Sequence, residues 1–331
     1  MHANRITIVL VVAAMSLCPA AVLAQSASVA PGQVWPNKPV RLIVPFAPGG
    51  GSDFLARVLG KQLTERLGQQ VVIENRAGAD GAVGLTALKS SPADGYTISI
   101  ASIGPLAVNP VIYKKLPYDT LRDFDPVAKM VNQPLLLVVH PSLPVKNVRE
   151  LITLAQSKPD QLSYASSGAG SAANLAGELF NSMAKVKITH IPYKGTGPAV
   201  IDTISGQVQL TYGATAVSPF VRSGKLKALA VGDAQRVPML PDVPTIAESG
   251  VPGYEAYAWS GVVAPANLPK DVLARLSREI VQILRQKDVS EMLLQQGNVP
   301  SPLGPEEFGA YIKAEIAKWA AVVKMANIRV D

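Results

Sequence analysis

The chain has 331 residues, of which 48% are hydrophobic and 17% are charged, and this length suits two lobes better than one small domain. Its 31 basic and 24 acidic side chains give a net charge of +7, but the basic residues are scattered, which argues against nucleic-acid binding. Cys18 is the only cysteine, which excludes disulfides, thiolate catalysis and cysteine-ligated metals from the rest of the chain.

Residues 1–24 have the pattern of a signal peptide. Arg5 precedes an apolar stretch at 6–17, and residues 22–24 place small side chains where a signal peptidase reads. We predict cleavage before Gln25 and export to a soluble compartment, because the residue before the cysteine is too large for a lipid-attachment site. The alternative, a membrane anchor, needs about 20 apolar residues, more than this stretch offers.

The first predicted strand, residues 40–46, ends in a glycine-rich turn that leads into a helix behind Ser52 and Asp53. The helix carries one apolar stripe, formed by Leu55, Leu59, Leu63 and Leu67, and should stop at Gly68. A glycine-broken strand end that leads into a helix leaves backbone N–H groups free, so this loop is a candidate anion-binding site.

A second strand at 69–75 completes a βαβ unit, and a third at 96–102 ends at Ser102. Between them, residues 76–95 read as a glycine-rich loop, a short helix and a turn. Ligands of open α/β sheets lie beyond the carboxyl ends of the strands, which makes Ser102 either a site residue or an ordinary turn serine. Residues 105–130 are polar and turn-rich, which predicts loops.

The strand at 133–141 begins a second α/β series, and a capping box at Asn147 and Glu150 predicts the next helix. Residues 162–180 then repeat the first arrangement, since a strand breaks at Ser166-Ser167-Gly168 and is followed by an apolar-striped helix. This is a second candidate anion-binding loop. Two lobes that each offer such a loop to one cleft would clamp a ligand from both sides.

Further strands are predicted within 187–200, 207–224 and 225–233, followed by a proline-rich extended segment at 236–254. After residue 269 the pattern is helical to the end. Crossings near 131–141 and 248–260 predict an α/β protein with a discontinuous first lobe. We expect lobe 1 to comprise 36–131 and 249–331, and lobe 2 to comprise 132–248.

The sequence gives no complete catalytic motif. It has neither a Walker phosphate loop nor a G-x-S-x-G elbow. Gly168, Gly170 and Ala173 fit the dinucleotide fingerprint, but the acidic residue that should follow is missing. Beyond the signal peptide only His140 and His190 remain, and their spacing fits no metal site. We therefore expect no enzyme activity, no cofactor and no metal.

Seven segments in chain order carry a resemblance to a known family: residues 45–57, 74–84, 92–97, 163–180, 190–199, 240–254 and 259–269. Together they resemble the Bug-type solute receptors of tripartite tricarboxylate transporters. The resemblance implies a two-lobed periplasmic-binding-protein fold of the type II-like, Venus-flytrap kind. It also implies a periplasmic monomer that binds a small carboxylate-bearing organic acid and delivers it to membrane permease subunits.

In that family, backbone N–H groups and hydroxyls of the two strand-to-helix loops hold the ligand carboxylate, partly through water. Carried over to this sequence, the first loop supplies Phe46, Ala47, Gly49, Gly50, Gly51, Ser52 and Asp53. The second loop supplies Ser166, Ser167, Gly168, Gly170, Ser171 and Asn174. The resemblance also places Tyr193, Lys194, Gly195 and Thr215 along the cleft.

Three positions depart from the family pattern, namely Ala47, Ser52 and Asn174, where the family often has proline, threonine and histidine. A neutral Asn174 near Tyr193 and Phe46 would suit an aromatic acid or a monocarboxylate at least as well as citrate. Two alternatives stay open: an exported enzyme that uses the same cleft, and a receptor whose ligand complex signals to a sensor partner.

Overall fold

The computed structural model describes residues 35–193, 195–214 and 217–326, so the predicted signal peptide, Lys194 and Thr215 lie outside the described residues. The first three strands are β1 (Val40–Val44), β2 (Val71–Asn75) and β3 (Thr97–Ser102), and the helices between them are α1 (Gly51–Leu67) and α2 (Ala82–Lys89). Strand β1 pairs in parallel with both β2 and β3, which confirms the βαβ unit.

Helix α1 forms as its sequence predicts. The four leucines of its stripe are buried against the sheet. The helix ends where Gly68 adopts a left-handed conformation, with φ of 68°, which a residue without a Cβ adopts at little cost.

The prediction of loops over residues 105–130 is wrong. After β3 the chain forms a π-helical turn (Gly104–Val108) and the short helices α3 (Asn109–Ile112) and α4 (Thr120–Asp123). Strand β4 (Phe124–Val139) then begins well before the predicted start at 133. Neighbouring strands on both sides of β4 bury its early residues, and this pairing outweighs their weak local strand signal.

The next series comprises α5 (Val148–Ser157), β5 (Ser163–Ser166), α6 (Ala172–Ala184), β6 (Thr189–Pro192), α7 (Thr196–Ile204), β7 (Leu210–Ala214), α8 (Ser218–Arg222) and β8 (Lys227–Val231). The capping box of α5 is confirmed, since the Asn147 side chain accepts a hydrogen bond from the Glu150 N–H at 2.9 Å. Strand β5 pairs in parallel with β6 and β7.

The remaining elements are β9 (Tyr257–Pro265), α9 (Lys270–Leu284), α10 (Lys287–Gln295), β10 (Val299–Leu303) and α11 (Pro305–Ala326). The expectation of an all-helical end is therefore wrong at β10, a short edge strand with two prolines that pairs with β4. Prolines at an edge lose few ladder hydrogen bonds, so tertiary pairing can impose a strand there. Among the described residues, no helix combines the length and apolarity needed to cross a bilayer.

The strands form one curled mixed sheet in the order β2-β1-β3-β9-β4-β7-β5-β6, with β8 and β10 also paired to β4. Strand β4 joins the two halves, because its residues 124–134 pair with β9 and its residues 135–139 pair with β7. The chain returns beside this junction, where the Gly232 N–H donates to the Leu135 carbonyl at 2.7 Å. The lobe boundaries at 131 and 249 stay predictions.

Candidate functional site

The strand register brings the carboxyl ends of the two halves toward each other. Ser102, at the end of β3, is opposite Ser260 of β9, which is opposite Val131 of β4. From the other half, Ala214 at the end of β7 is opposite Leu135 of β4. Strand β3 is parallel to β4, whereas β7 is antiparallel to β4. The carboxyl ends of β3 and β7 therefore approach each other along β4. Four residues of strand span about 13 Å, so the loops face a narrow cleft.

The first loop, residues 46–53, follows β1 at this edge. Residues 47–51 are exposed, and Gly49 has φ of 85°. Gly50 is the N-cap of α1 and has no side-chain cap, while the Phe54 N–H is bonded to the Gly50 carbonyl at 3.0 Å. The N–H groups of residues 51–53 precede the hydrogen-bond ladder of the helix, so they are available to an anion in the cleft.

Asp53 fixes the shape of the first loop. Its carboxylate is buried and accepts hydrogen bonds from the Gly49 N–H at 3.0 Å, from Arg57 Nε at 2.8 Å and from Asn75 Nδ2 at 3.0 Å. The hydrogen bonds from Arg57 and Gly49 lower the pKa of Asp53 to about 2. Because these oxygens are already engaged, Asp53 stabilises the loop and does not present a free carboxylate to the cleft.

The loops after β2 and β3 meet the first loop at Phe46. A Cβ on Gly81 would lie 3.1 Å from Pro105 and 3.5 Å from the Phe46 ring. Ser102 is partly exposed at the end of β3. Phe46 and Ser102 therefore lie at the strand ends of the first half, together with the exposed glycines.

The second loop, residues 166–174, follows β5. It is stabilised by the buried side chain of Ser166, which is 1% exposed. Ser166 Oγ accepts a hydrogen bond from the Gly168 N–H at 3.1 Å and lies 2.6 Å from His190 Nε2. Gly168 and Gly170 have φ of 136° and 77°, which glycine adopts without strain. Burial lowers the pKa of His190, which favours the neutral form of its imidazole.

Asn174 holds the other end of the second loop and is also 1% exposed. Its Oδ1 accepts from the Gly170 N–H at 2.9 Å, and its Nδ2 donates to the Tyr164 hydroxyl at 2.9 Å. That hydroxyl donates to Glu178 at 2.6 Å, and the Tyr164 ring stacks on His190 with centroids 5.0 Å apart. Ser166 and Asn174 thus support the loop from its buried side. Ser167 and Ser171 are partly exposed, and Ser171 Oγ also caps α6 by accepting a hydrogen bond from the Asn174 N–H at 3.3 Å.

Tyr193 and Gly195 lie alongside the second loop, since their N–H groups donate to the carbonyls of Ser166 and Ser167 at 3.0 and 3.3 Å. The Tyr193 hydroxyl donates to Asp202 at 2.7 Å. Sequence reasoning overlooked the contribution of His190 to this region, because only the fold places it on Ser166. In the described ranges, no group of three or more potential metal-ligating side chains is found.

Two halves that offer opposed strand-end loops to one cleft define an α/β receptor of the two-lobed binding-protein class. The family model for tripartite tricarboxylate transporter family receptors matches residues 55–328. The chain belongs to this family, and the fold class expected from the sequence is confirmed by the solved structures that it resembles.

Named relatives agree with this assignment. The protein BugT of Bordetella pertussis is 40% identical over 292 residues, which cover 88% of this chain and 90% of BugT. The structure of R. palustris Rpa4515 with adipate is 39% identical, with a TM-score of 0.78, and the match covers 89% of this chain and 99% of that one. The periplasmic binding protein BugD is 34% identical, with a TM-score of 0.73 and coverage of 89% and 99%. The resemblance to Bug-type receptors is thus confirmed.

Proposed function

We propose that this receptor captures a small organic acid between its two lobes in the periplasm and delivers it to the permease subunits of a tripartite transporter. The observation that carries the proposal is the convergence of two glycine-rich helix N-termini from opposite halves on the cleft beside β4. Each N-terminus favours a carboxylate by roughly 0.3 to 1 kcal/mol, and by more when it is partly buried. The similar structure that contains adipate supports this ligand chemistry.

In this proposal the carboxylate contacts the exposed N–H groups of the first loop and the hydroxyls of Ser167 and Ser171. Closure of the lobes 36–131 with 249–331 and 132–248 excludes water and strengthens these charge-assisted bonds. The ligand is released unchanged. The signal peptide is removed before Gln25, and the exported receptor acts as a monomer without a cofactor.

Titration of the purified protein with a panel of organic acids tests this function. We expect at least one acid to raise the melting temperature, to be recovered unchanged, and to lower the radius of gyration in solution scattering. Turnover of the bound acid would favour an enzyme, and failure of every carboxylate to bind would refute the receptor.

Gly50→Val tests the first loop. Gly50 has φ of −86° and its added Cβ would meet only the Ala47 carbonyl at 3.8 Å, so the fold tolerates a side chain there that covers the free N–H groups. Ser167→Ala combined with Ser171→Ala tests the second loop. We expect each change to weaken binding at least tenfold. Gly304→Val is the matched control, since Gly304 also joins a strand to a helix and has no neighbour within 4 Å of an added Cβ. Unchanged affinity in both loop variants would refute the two-loop site.

A further inference from the structure

Asp80 lies where the three strand-end loops of the first half meet. It sits in the 3₁₀ turn Ala79–Gly81 between β2 and α2, and its carbonyl accepts a hydrogen bond from Asn109 Nδ2 at 3.0 Å. The next residue, Gly81, packs against Phe46 of the first loop and Pro105 of the β3 loop. Asp80 is therefore placed among the loops at the carboxyl ends of β1, β2 and β3, and its carboxylate lies beside Gly104 of the β3 loop.

The backbone at this point is strained. Ala79 and Asp80 both have φ of 46°, in the left-handed region that residues with a side chain occupy at a cost. Aspartate tolerates this region better than most residues, and glycine would occupy it freely. Strain of this kind is concentrated at functional sites, and here its effect is to present a carboxylate at the cleft.

No described residue neutralises this carboxylate. Among the described ion pairs and hydrogen bonds, none involves a carboxylate oxygen of Asp80, and the cations Arg76 and Lys89 pair with Glu74 and Asp123 instead. The side chain is exposed, yet Oδ2 lies only 3.1 Å from the position of a Cβ on Gly104. Partial burial of the carboxylate beside the Gly104 backbone raises the pKa of Asp80 through desolvation.

We infer that Asp80 is a specificity-determining residue that interacts with one end of the ligand, the end opposite the ligand carboxylate held by the two loops. It favours acids that carry a hydrogen-bond donor at that end, an ammonium or a hydroxyl, and it disfavours dicarboxylates. A hydrogen-bond donor on the ligand can bond to the Asp80 carboxylate, which has no described partner. A second carboxylate on the ligand is instead repelled by the negative charge of Asp80 in a partly dehydrated cleft. This inference rests on the proposed carboxylate-binding function and gives its ligands a chemical class.

Calorimetric titration with length-matched pairs tests the inference: adipate against 6-aminohexanoate, and succinate against 4-aminobutanoate. We expect the wild-type protein to bind the amino acid of a pair more tightly than the diacid. Asp80→Asn should shift that preference toward the diacid by about tenfold or more, as expected when one charge interaction at several ångströms is removed. Asparagine also tolerates the left-handed region, so the variant should fold.

Asp160→Asn is the matched control, because Asp160 is another aspartate with positive φ, 60°, in an exposed turn of the other half. It should leave the preference unchanged. Lowering the pH should raise diacid affinity more for the wild type than for Asp80→Asn, since protonation of Asp80 removes the repulsion. The titratable side chains that face Asp80, Tyr113 and Tyr118, have raised pKa values and stay neutral throughout. If the wild type binds these acids and Asp80→Asn leaves the preference within twofold, the inference is overturned while the receptor proposal stands. If no carboxylate binds, both fail.

Discussion

The two anion-binding loops share a sequence pattern but are supported in different ways. The first loop is held by a charged side chain, Asp53, whose partner Arg57 lies largely in solvent. The second loop is held by neutral buried groups, since Ser166 and Asn174 bond its glycine N–H groups and rest on His190 and Tyr164.

This difference has an energetic consequence. Solvent screens the Asp53–Arg57 pair and limits its contribution, whereas a buried hydrogen-bonded network leaves unpaired groups behind when one member is removed. The first loop should therefore be easily changed without loss of the fold, and the second loop should be sensitive to changes in its support. Three substitutions test this contrast.

Asn174→Ala should have the largest effect. It leaves the buried Gly170 N–H without its acceptor and removes the amide that donates to the Tyr164 hydroxyl, which should lower the free energy of unfolding by about 2 to 3 kcal/mol. Urea denaturation measures the change. Ser157→Ala is the control, because the exposed Ser157 hydroxyl bonds only to the carbonyl of Leu154 in its own helix. A loss below about 0.5 kcal/mol for Asn174→Ala would show that the second loop does not depend on this network.

Asp53→Asn should lower the free energy of unfolding by only about 1 kcal/mol, through weaker bonds from Arg57 and Gly49 and loss of the helix-dipole interaction. The pKa of Asp53 is lowered to about 2 from 3.8. Its contribution to the free energy of unfolding is therefore complete above about pH 5 and is lost as the pH falls toward 2. Denaturation curves between pH 7 and 2 should converge for the wild type and the variant. Asp271→Asn, at an exposed first-turn acid of α9, is the control for loss of a helix-dipole charge alone. A constant gap between the Asp53 curves would contradict this account.

His190→Gln should have the smallest effect at neutral pH, since glutamine can still bond to Ser166. Burial lowers the pKa of His190 in the folded state, so the unfolded chain takes up the proton first as the pH falls below about 7. Wild-type stability and ligand affinity should therefore decline toward pH 5, and the variant should lack this part of the slope. His140→Gln is the control, because His140 bonds to Ser142 at 2.6 Å in the turn after β4. Identical pH profiles for wild type and His190→Gln would rule out this role for His190.

Much of the fold could be predicted because its signals are local. The leucine stripe and Gly68 define α1, and the capping box at Asn147 defines the start of α5. Strand β10 was not predictable, because its prolines argue against a strand and only the edge of β4 makes one. The early start of β4 was missed for the same reason.

The sequence by itself determined that two glycine-broken strand ends lead into helices, and therefore that two sets of free N–H groups exist. Only the tertiary structure decided that they converge, because the convergence depends on the opposed directions of β3 and β7 along β4. It also decided which side chains support a loop and which face the cleft. Ser166 and Ser167 are neighbours with the same chemistry, yet His190, distant in the sequence, engages the first. In the sequence, Asp80 is one residue of a glycine-rich loop. Only the fold shows that its carboxylate lies at the strand ends of the first half with no described partner.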